Sequence, residues 1–117
     1  MEKLFDAELR LMEMIWESEP VSAKEISRMA LEEFGWNKNT TYTVIKRLIE
    51  KEVLRRQEPG FICRSLVKKG DIQRLETETL ITKLFGGSKK AFFSALADQE
   101  LSVEELEALA ELIEKKR

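Results

Sequence analysis

The sequence predicts a mainly α fold interrupted by one small β-hairpin. Three observations predict it. Apolar residues recur at three- and four-residue spacing through most of the chain, the period of helices with one buried face. Pro59-Gly60 separates two short runs, Leu54 to Glu58 and Phe61 to Leu66, as a turn between strands does. Only two prolines and five glycines occur in 117 residues, which leaves little room for long loops.

Each element follows from local chemistry. Asp6 is placed to cap a first helix running to about Glu17, with Leu9, Met12, Ile15 and Trp16 inward and Glu8, Arg10 and Glu13 on the wet side. Glu19-Pro20 ends it, because a residue before proline resists helical geometry. Ser22-Ala-Lys-Glu25 is a capping box that opens a second helix through about Phe34, with Ile26, Met29, Ala30 and Phe34 inward. Gly35 supplies a left-handed stop. Asn37 or Asn39 then caps a third helix reaching about Glu52.

That third helix has two incompatible faces. Ile45, Leu48 and Ile49 form a stripe that must be buried. Asn39, Thr40, Thr43, Lys46, Arg47 and Glu50 cover much of the rest. Small amide and hydroxyl groups followed one turn later by two cations suit a DNA major groove, where Asn and Thr reach base edges or phosphates and Lys and Arg reach phosphate or guanine. An ordinary amphipathic surface helix would show a similar stripe. Two helices with a short break, followed by a hairpin carrying Arg55, Arg56 and Arg64, make a winged helix-turn-helix over residues 1–69. A plain surface hairpin with solubilising arginines is the competing reading of the wing.

Charge is segregated. The whole chain is at -2, yet residues 35–70 carry nine Lys/Arg against three acids, a net of +6. Residues 1–34 stand at -5 and residues 71–117 at -3. A local basic footprint is what a nucleic-acid partner needs, and acid elsewhere does not cancel it.

After Gly70 the chain changes character. Asp71 is placed to cap a helix to Phe85, closed by Gly86-Gly87, with Ile72, Leu75, Thr79, Leu80, Leu84 and Phe85 on its apolar side. Ser88 caps a short helix in which Phe92, Phe93, Leu96 and Ala97 cluster. Ser102-Val-Glu-Glu105 is a second capping box, opening a last helix with Val103, Leu106, Leu109, Ala110 and Ile113 on one face. The expectation is a helical dimerisation domain over residues 70–117, built on Ile72, Leu75, Leu80, Leu84, Phe92, Phe93, Leu96, Leu106, Leu109 and Ile113. A monomer with a helical cap is the alternative.

The composition excludes several classes. No histidine is present, which removes the usual general base and the usual imidazole ligand. Cys63 is alone, so neither an internal disulfide nor a cysteine metal cage can form. Acid pairs such as Glu32-Glu33 and Glu104-Glu105 diverge on a helix and suit solvated surface or first-turn charges. No catalytic residue, metal or cofactor is expected. Cys63 is expected to be a small packed residue, although Arg64 beside it could activate a thiol. Tyr42 and Trp36 could stack on a base or rest against the core, and core or interface is the default expectation. No apolar run approaches the roughly 20 residues of a membrane span, and MEKLFDAELR lacks a signal-peptide core, so a soluble cytoplasmic protein is expected.

These residues together resemble a known family. Glu8-Leu-Arg-Leu-Met-Glu-Met-Ile-Trp16, Val21-Ser-Ala-Lys-Glu-Ile26, Asn39-Thr-Thr-Tyr-Thr-Val-Ile-Lys-Arg-Leu48 and Lys83-Leu-Phe-Gly-Gly87 stand in the order and spacing of the penicillinase-repressor regulators, the BlaI/MecI/CopY group. The resemblance covers nearly the whole chain. It implies a homodimeric repressor whose winged helices sit in the major grooves of a dyad operator in double-stranded DNA, regulating β-lactam-resistance or related stress genes. It places Asn39, Thr40, Thr43, Lys46 and Arg47 on the recognition helix. Two departures qualify it. The paired C-terminal cysteines of the copper-responsive branch are missing from Glu111 to Arg117. The bond that an inactivating protease cuts between Asn and Phe in the β-lactam-responsive branch corresponds to Ala95-Leu96, where the Asn is lost. A protein-interaction adaptor without DNA binding is the alternative function.

Overall fold

The computed structural model describes residues 3–117. The element order is α1 (Asp6–Ser18), β1 (Val21–Ser22), α2 (Ala23–Phe34), α3 (Lys38–Glu50), β2 (Leu54–Gln57), β3 (Ile62–Ser65), α4 (Lys69–Phe85), α5 (Lys89–Ala97) and α6 (Val103–Lys116). The chain divides into two units, residues 1–73 and 74–117. None of the described helices is long and apolar enough to cross a membrane.

The first unit is a winged helix. Leu11, Met12, Ile15, Ala23, Ile26, Ala30, Val44, Ile45, Leu48, Val53, Leu54 and Cys63 form one buried cluster, drawn from α1, α2, α3 and the strands. The sheet is antiparallel, in the order β1-β3-β2. The hairpin matches the expected strands, each shortened. The strand β1 was not expected: two residues carry no periodicity, and Val21 pairs with Cys63 only because the hairpin returns there. Further bonds tie α1 to the sheet. Trp16 Nε1 donates to Ser65 Oγ at 3.0 Å, and the Glu19 carboxylate accepts from the Ser65 N–H at 2.8 Å.

Most helix boundaries obey their caps. Ser22 Oγ accepts from the Glu25 N–H at 3.1 Å, Asn37 Oδ1 from the Thr40 N–H at 2.8 Å, and Ser88 Oγ from the Ala91 N–H at 3.0 Å. Ser102 and Glu105 complete a reciprocal box. Gly35 closes α2 at φ 71°, a left-handed conformation that a side chain would strain.

Two starts differ from expectation. Phe5, not Asp6, is the N-cap of α1, because the Glu8 carboxylate takes the Phe5 N–H at 2.7 Å and Asp6 already lies in the first turn. Likewise α4 begins at Lys69, because the Lys68 carbonyl accepts from Asp71 and Ile72. Asp71 is then a first-turn charge rather than the cap. The inward face of α1 also differs. Leu11 and Met14 are buried while Leu9 and Trp16 are half-buried, since α1 is covered from more than one side. Glu8, expected in water, is 1% exposed.

The second unit keeps its apolar side chains near its surface. Phe85 and Phe92 meet edge to face at 5.8 Å, and Ile81 is buried. Phe93, Leu96, Ala97, Leu101, Leu106, Leu109 and Ile113 line a groove of about 410 Å³ between α5 and α6. Leu80, Leu84, Leu106, Leu109 and Ile113 are exposed, as are Val103 and Leu112.

Two outcomes follow from this packing. Leu11→Ala removes a fully buried side chain and is expected to cost about 2–5 kcal/mol in urea unfolding, whereas Leu9→Ala, half-exposed, costs well under half of that. Equal losses would misplace the face of α1. Cys63 is fully buried, and burial pushes its thiol up to about 11 from 9.0 against the weaker pull of Arg56. The folded chain therefore resists alkylation at pH 8. Its stability falls as pH rises from about 9, where the unfolded thiol ionises first, toward 11. Rapid native-state labelling would contradict this placement.

Candidate nucleic-acid interface

The orientation of α3 is set from behind. Thr41, Val44, Ile45 and Leu48 are buried, at the spacing of one helical stripe. Ile49 and Tyr42 are half-buried at its margins. The opposite face carries Asn39, Thr40, Thr43, Lys46 and Arg47, all exposed. The sequence-expected recognition residues therefore share one surface. Asn39, Thr40, Thr43 and Arg47 line a concavity of about 390 Å³ with Asn37, Val44 and Ala7, the last contributed by the first turn of α1.

The hairpin arginines do not share one surface. Arg55 stands directly opposite Arg64, and Arg56 opposite Cys63. Cross-strand partners lie on the same face and successive residues on opposite faces. Arg56 is thus on the side of the buried Cys63, beside α3. Its guanidinium lies 3.7 Å from the centre of the Phe61 ring and bonds Glu58 at 2.6 Å. Together with Tyr42, Lys46, Ile49, Glu50 and Phe61 it lines a second groove of about 500 Å³ between α3 and the wing. Arg55 and Arg64 project from the outer face, where Arg64 Nε donates to Gln57 Oε1 at 3.0 Å. Gly60 at φ 92° lets the tip turn sharply enough to bring Phe61 back against Tyr42, ring centres 5.9 Å apart.

The electrostatics separate the cations into two sets. Lys51 is paired with Glu8, Lys69 with Glu13 and Arg56 with Glu58. Arg28, outside this segment, is held by Glu25 and Glu32, which lowers the Glu25 carboxyl and raises the guanidinium. Among the described residues, Lys38, Lys46, Arg47, Arg55, Arg64 and Lys68 have no carboxylate within ion-pair distance. Lys38 lies over the Tyr42 ring at 5.7 Å. Within residues 35–70, the cations without a carboxylate partner therefore lie on α3, the wing and the approach to α4.

Other candidates fall elsewhere. Ile72, expected in the dimerisation set, is 2% exposed in the core cluster of the first unit and offers no surface to a partner. Phe92 is half-buried, whereas Leu75, Leu80, Leu84, Phe93, Leu96, Leu106, Leu109 and Ile113 are exposed. Ala95 and Leu96 lie within α5, the former half-buried and the latter exposed. Trp36 packs against Phe34 at 5.0 Å, and both border the core with Tyr42. Sequence reasoning missed Glu8 and Lys51, which meet at 2.7 Å across 43 positions; no local signal announces such a pair.

Comparison with known proteins agrees with this architecture. The chain is 32% identical over 110 residues to a penicillinase repressor from Staphylococcus aureus, covering 92% of this chain and 87% of that protein. It is 28% identical over 117 residues to the methicillin resistance regulatory protein MecI of Mammaliicoccus sciuri, covering 97% and 95%. The DNA-binding domain of the repressor BlaI, solved in solution, matches with a TM-score of 0.55 at 28% identity, over 61% of this chain and 93% of that one. The monomeric form of Bacillus licheniformis BlaI, solved in complex with the blaP half-operator, matches with a TM-score of 0.54 at 26% identity, over 60% and 88%. The penicillinase repressor family model matches residues 4–115, and the chain belongs to that family.

Proposed function

We propose that this chain is a DNA-binding transcriptional repressor that occupies a dyad operator as a homodimer. The observation that carries the reading is the face of α3: its apolar side is locked into the core, and Lys46 and Arg47 on the other side lack carboxylate partners among the described residues. Asn39, Thr40 and Thr43 offer amide and hydroxyl groups to base edges or phosphates, and Lys46 and Arg47 offer cations. Arg56 lies beside the same face. Arg55 and Arg64, on the outer side of the hairpin, extend the positive field toward flanking phosphates. The BlaI domain solved with a half-operator supports the DNA partner.

The exposed apolar residues of the second unit support self-association. A unit this small seldom sustains a core alone, and a second copy would cover Leu84, Phe93, Leu106, Leu109 and Ile113. A two-fold dimer presents two equivalent recognition helices to a palindrome. An inactivating protease acting at Ala95-Leu96 would meet a helical bond in α5, so cleavage there needs local unfolding first.

The protein is expected to bind a DNA resin in dilute buffer and to elute steeply as salt rises, because affinity rests on released counterions. Sedimentation is expected to show a dimer with and without a palindromic duplex. A monomer that flows through the resin is instead an interaction adaptor, its apolar second unit serving an unrelated protein. Lys46→Ala is expected to cost about 1–3 kcal/mol on a dyad selected from random DNA and to relax base preference at one position. A uniform loss over all sequences would place Lys46 on phosphate.

A further inference from the structure

Glu8 and Lys51 form a buried ion pair between the first turn of α1 and the C-terminal end of α3. One Glu8 oxygen, Oε1, accepts from the Phe5 N–H and from Lys51 Nζ, both at 2.7 Å. The other, Oε2, is buried with no hydrogen-bond partner among the described residues. Lys51 Nζ also donates to the Lys3 carbonyl at 2.8 Å and lies 4.5 Å from the centre of the Phe5 ring. Glu8 opens α1, where a helix favours an anion, and Lys51 caps the end of α3, where a helix favours a cation. The pair joins the start of one helix to the end of the other.

Stability alone does not explain the arrangement. A buried carboxylate with an unpartnered oxygen is costly, and an apolar pair of similar volume is often as stable or more so. What an ion pair adds is a fixed distance and direction, where apolar surfaces tolerate sliding. The geometry held here reaches the recognition face. Ala7, adjacent to Glu8, is a wall of the concavity that Asn39, Thr40, Thr43 and Arg47 line. A shift of α1 against α3 would reshape that concavity.

We propose that Glu8 and Lys51 are positioning residues for sequence discrimination: the ion pair fixes α3 against the first turn of α1 and so sets how the recognition face meets base edges. This rests on the DNA-binding reading above. Glu8→Gln and Lys51→Met change net charge in opposite directions, so their sequence-independent effects on DNA affinity are opposite in sign. A loss of preference shared by both cannot then be a charge effect. The doubly neutral E8Q/K51M chain leaves no unpaired buried charge and keeps a folded reference.

The test uses the full chain, a dyad duplex that the wild type selects from random DNA, and a scrambled duplex. All three variants are expected to lose about tenfold in the ratio of dyad to scrambled affinity, the size of one lost base contact. An unchanged ratio in the folded double variant overturns the proposal. Amide exchange without DNA supplies an independent arm: protection of Arg47 to Lys51 is expected to fall in E8Q/K51M while that of α2 persists. Unchanged protection there also overturns it. A wild type that discriminates no duplex defeats the DNA-binding reading instead, and the exchange result still decides whether the pair holds α3.

Discussion

The fixed rotation of α3 about its own axis governs the rest of the first unit. Thr41, Val44, Ile45 and Leu48 are buried together with residues of α1, α2 and β2. Turning the helix by one residue, about 100°, would expose that stripe and drive charged side chains into the core. Lost burial of about 25 cal/mol per Å² and uncompensated charge both oppose it. The exposure of Asn39, Thr43, Lys46 and Arg47 is therefore a consequence of core packing, not of local preference. The wing depends on the same constraint, since Phe61 reaches Tyr42 only while α3 keeps that angle.

Much of this was legible in the residues because the physics is local. A serine or asparagine accepting from a backbone N–H three positions on needs no distant partner, so Ser88 and Ser102 mark their helices, and Asn37 is one of the two caps, with Asn39, that the residues offer α3. Pro59-Gly60 marked the hairpin for the same reason. The illegible features are non-local. The first strand exists because Cys63 returns beside Val21. Glu8 looked solvated because its partner is 43 positions away. The start of α4 slipped because a carbonyl, that of Lys68, did the work expected of the Asp71 side chain. The division of the arginines is a local feature too. Arg55 and Arg56 are neighbours on a strand, and the two-residue period alone puts them on opposite faces.

The second unit shows the other side of that rule. Its capping signals were accurate, yet its apolar faces remain uncovered: Leu84, Val103 and Leu112 are at least 60% exposed. Helical periodicity reports that a face must be buried and not what buries it. The one member of the expected dimerisation set that the chain itself buries is Ile72, which belongs to the first core. The apolar stripe of α4 thus begins as core and continues as surface, a change that periodicity cannot register because the spacing is the same on both sides.

Charge placement supplies the remaining constraint. A chain at -2 overall binds a polyanion only if its positive groups are kept apart from its negative ones. Here carboxylates hold some of the cations. Glu25 and Glu32 hold Arg28, Glu13 holds Lys69, and Glu8 holds Lys51. What stays uncompensated in residues 35–70 is confined to α3, the wing and the residues just before α4. The exposed face of α3 is thus left with Lys46 and Arg47 free of carboxylate partners among the described residues.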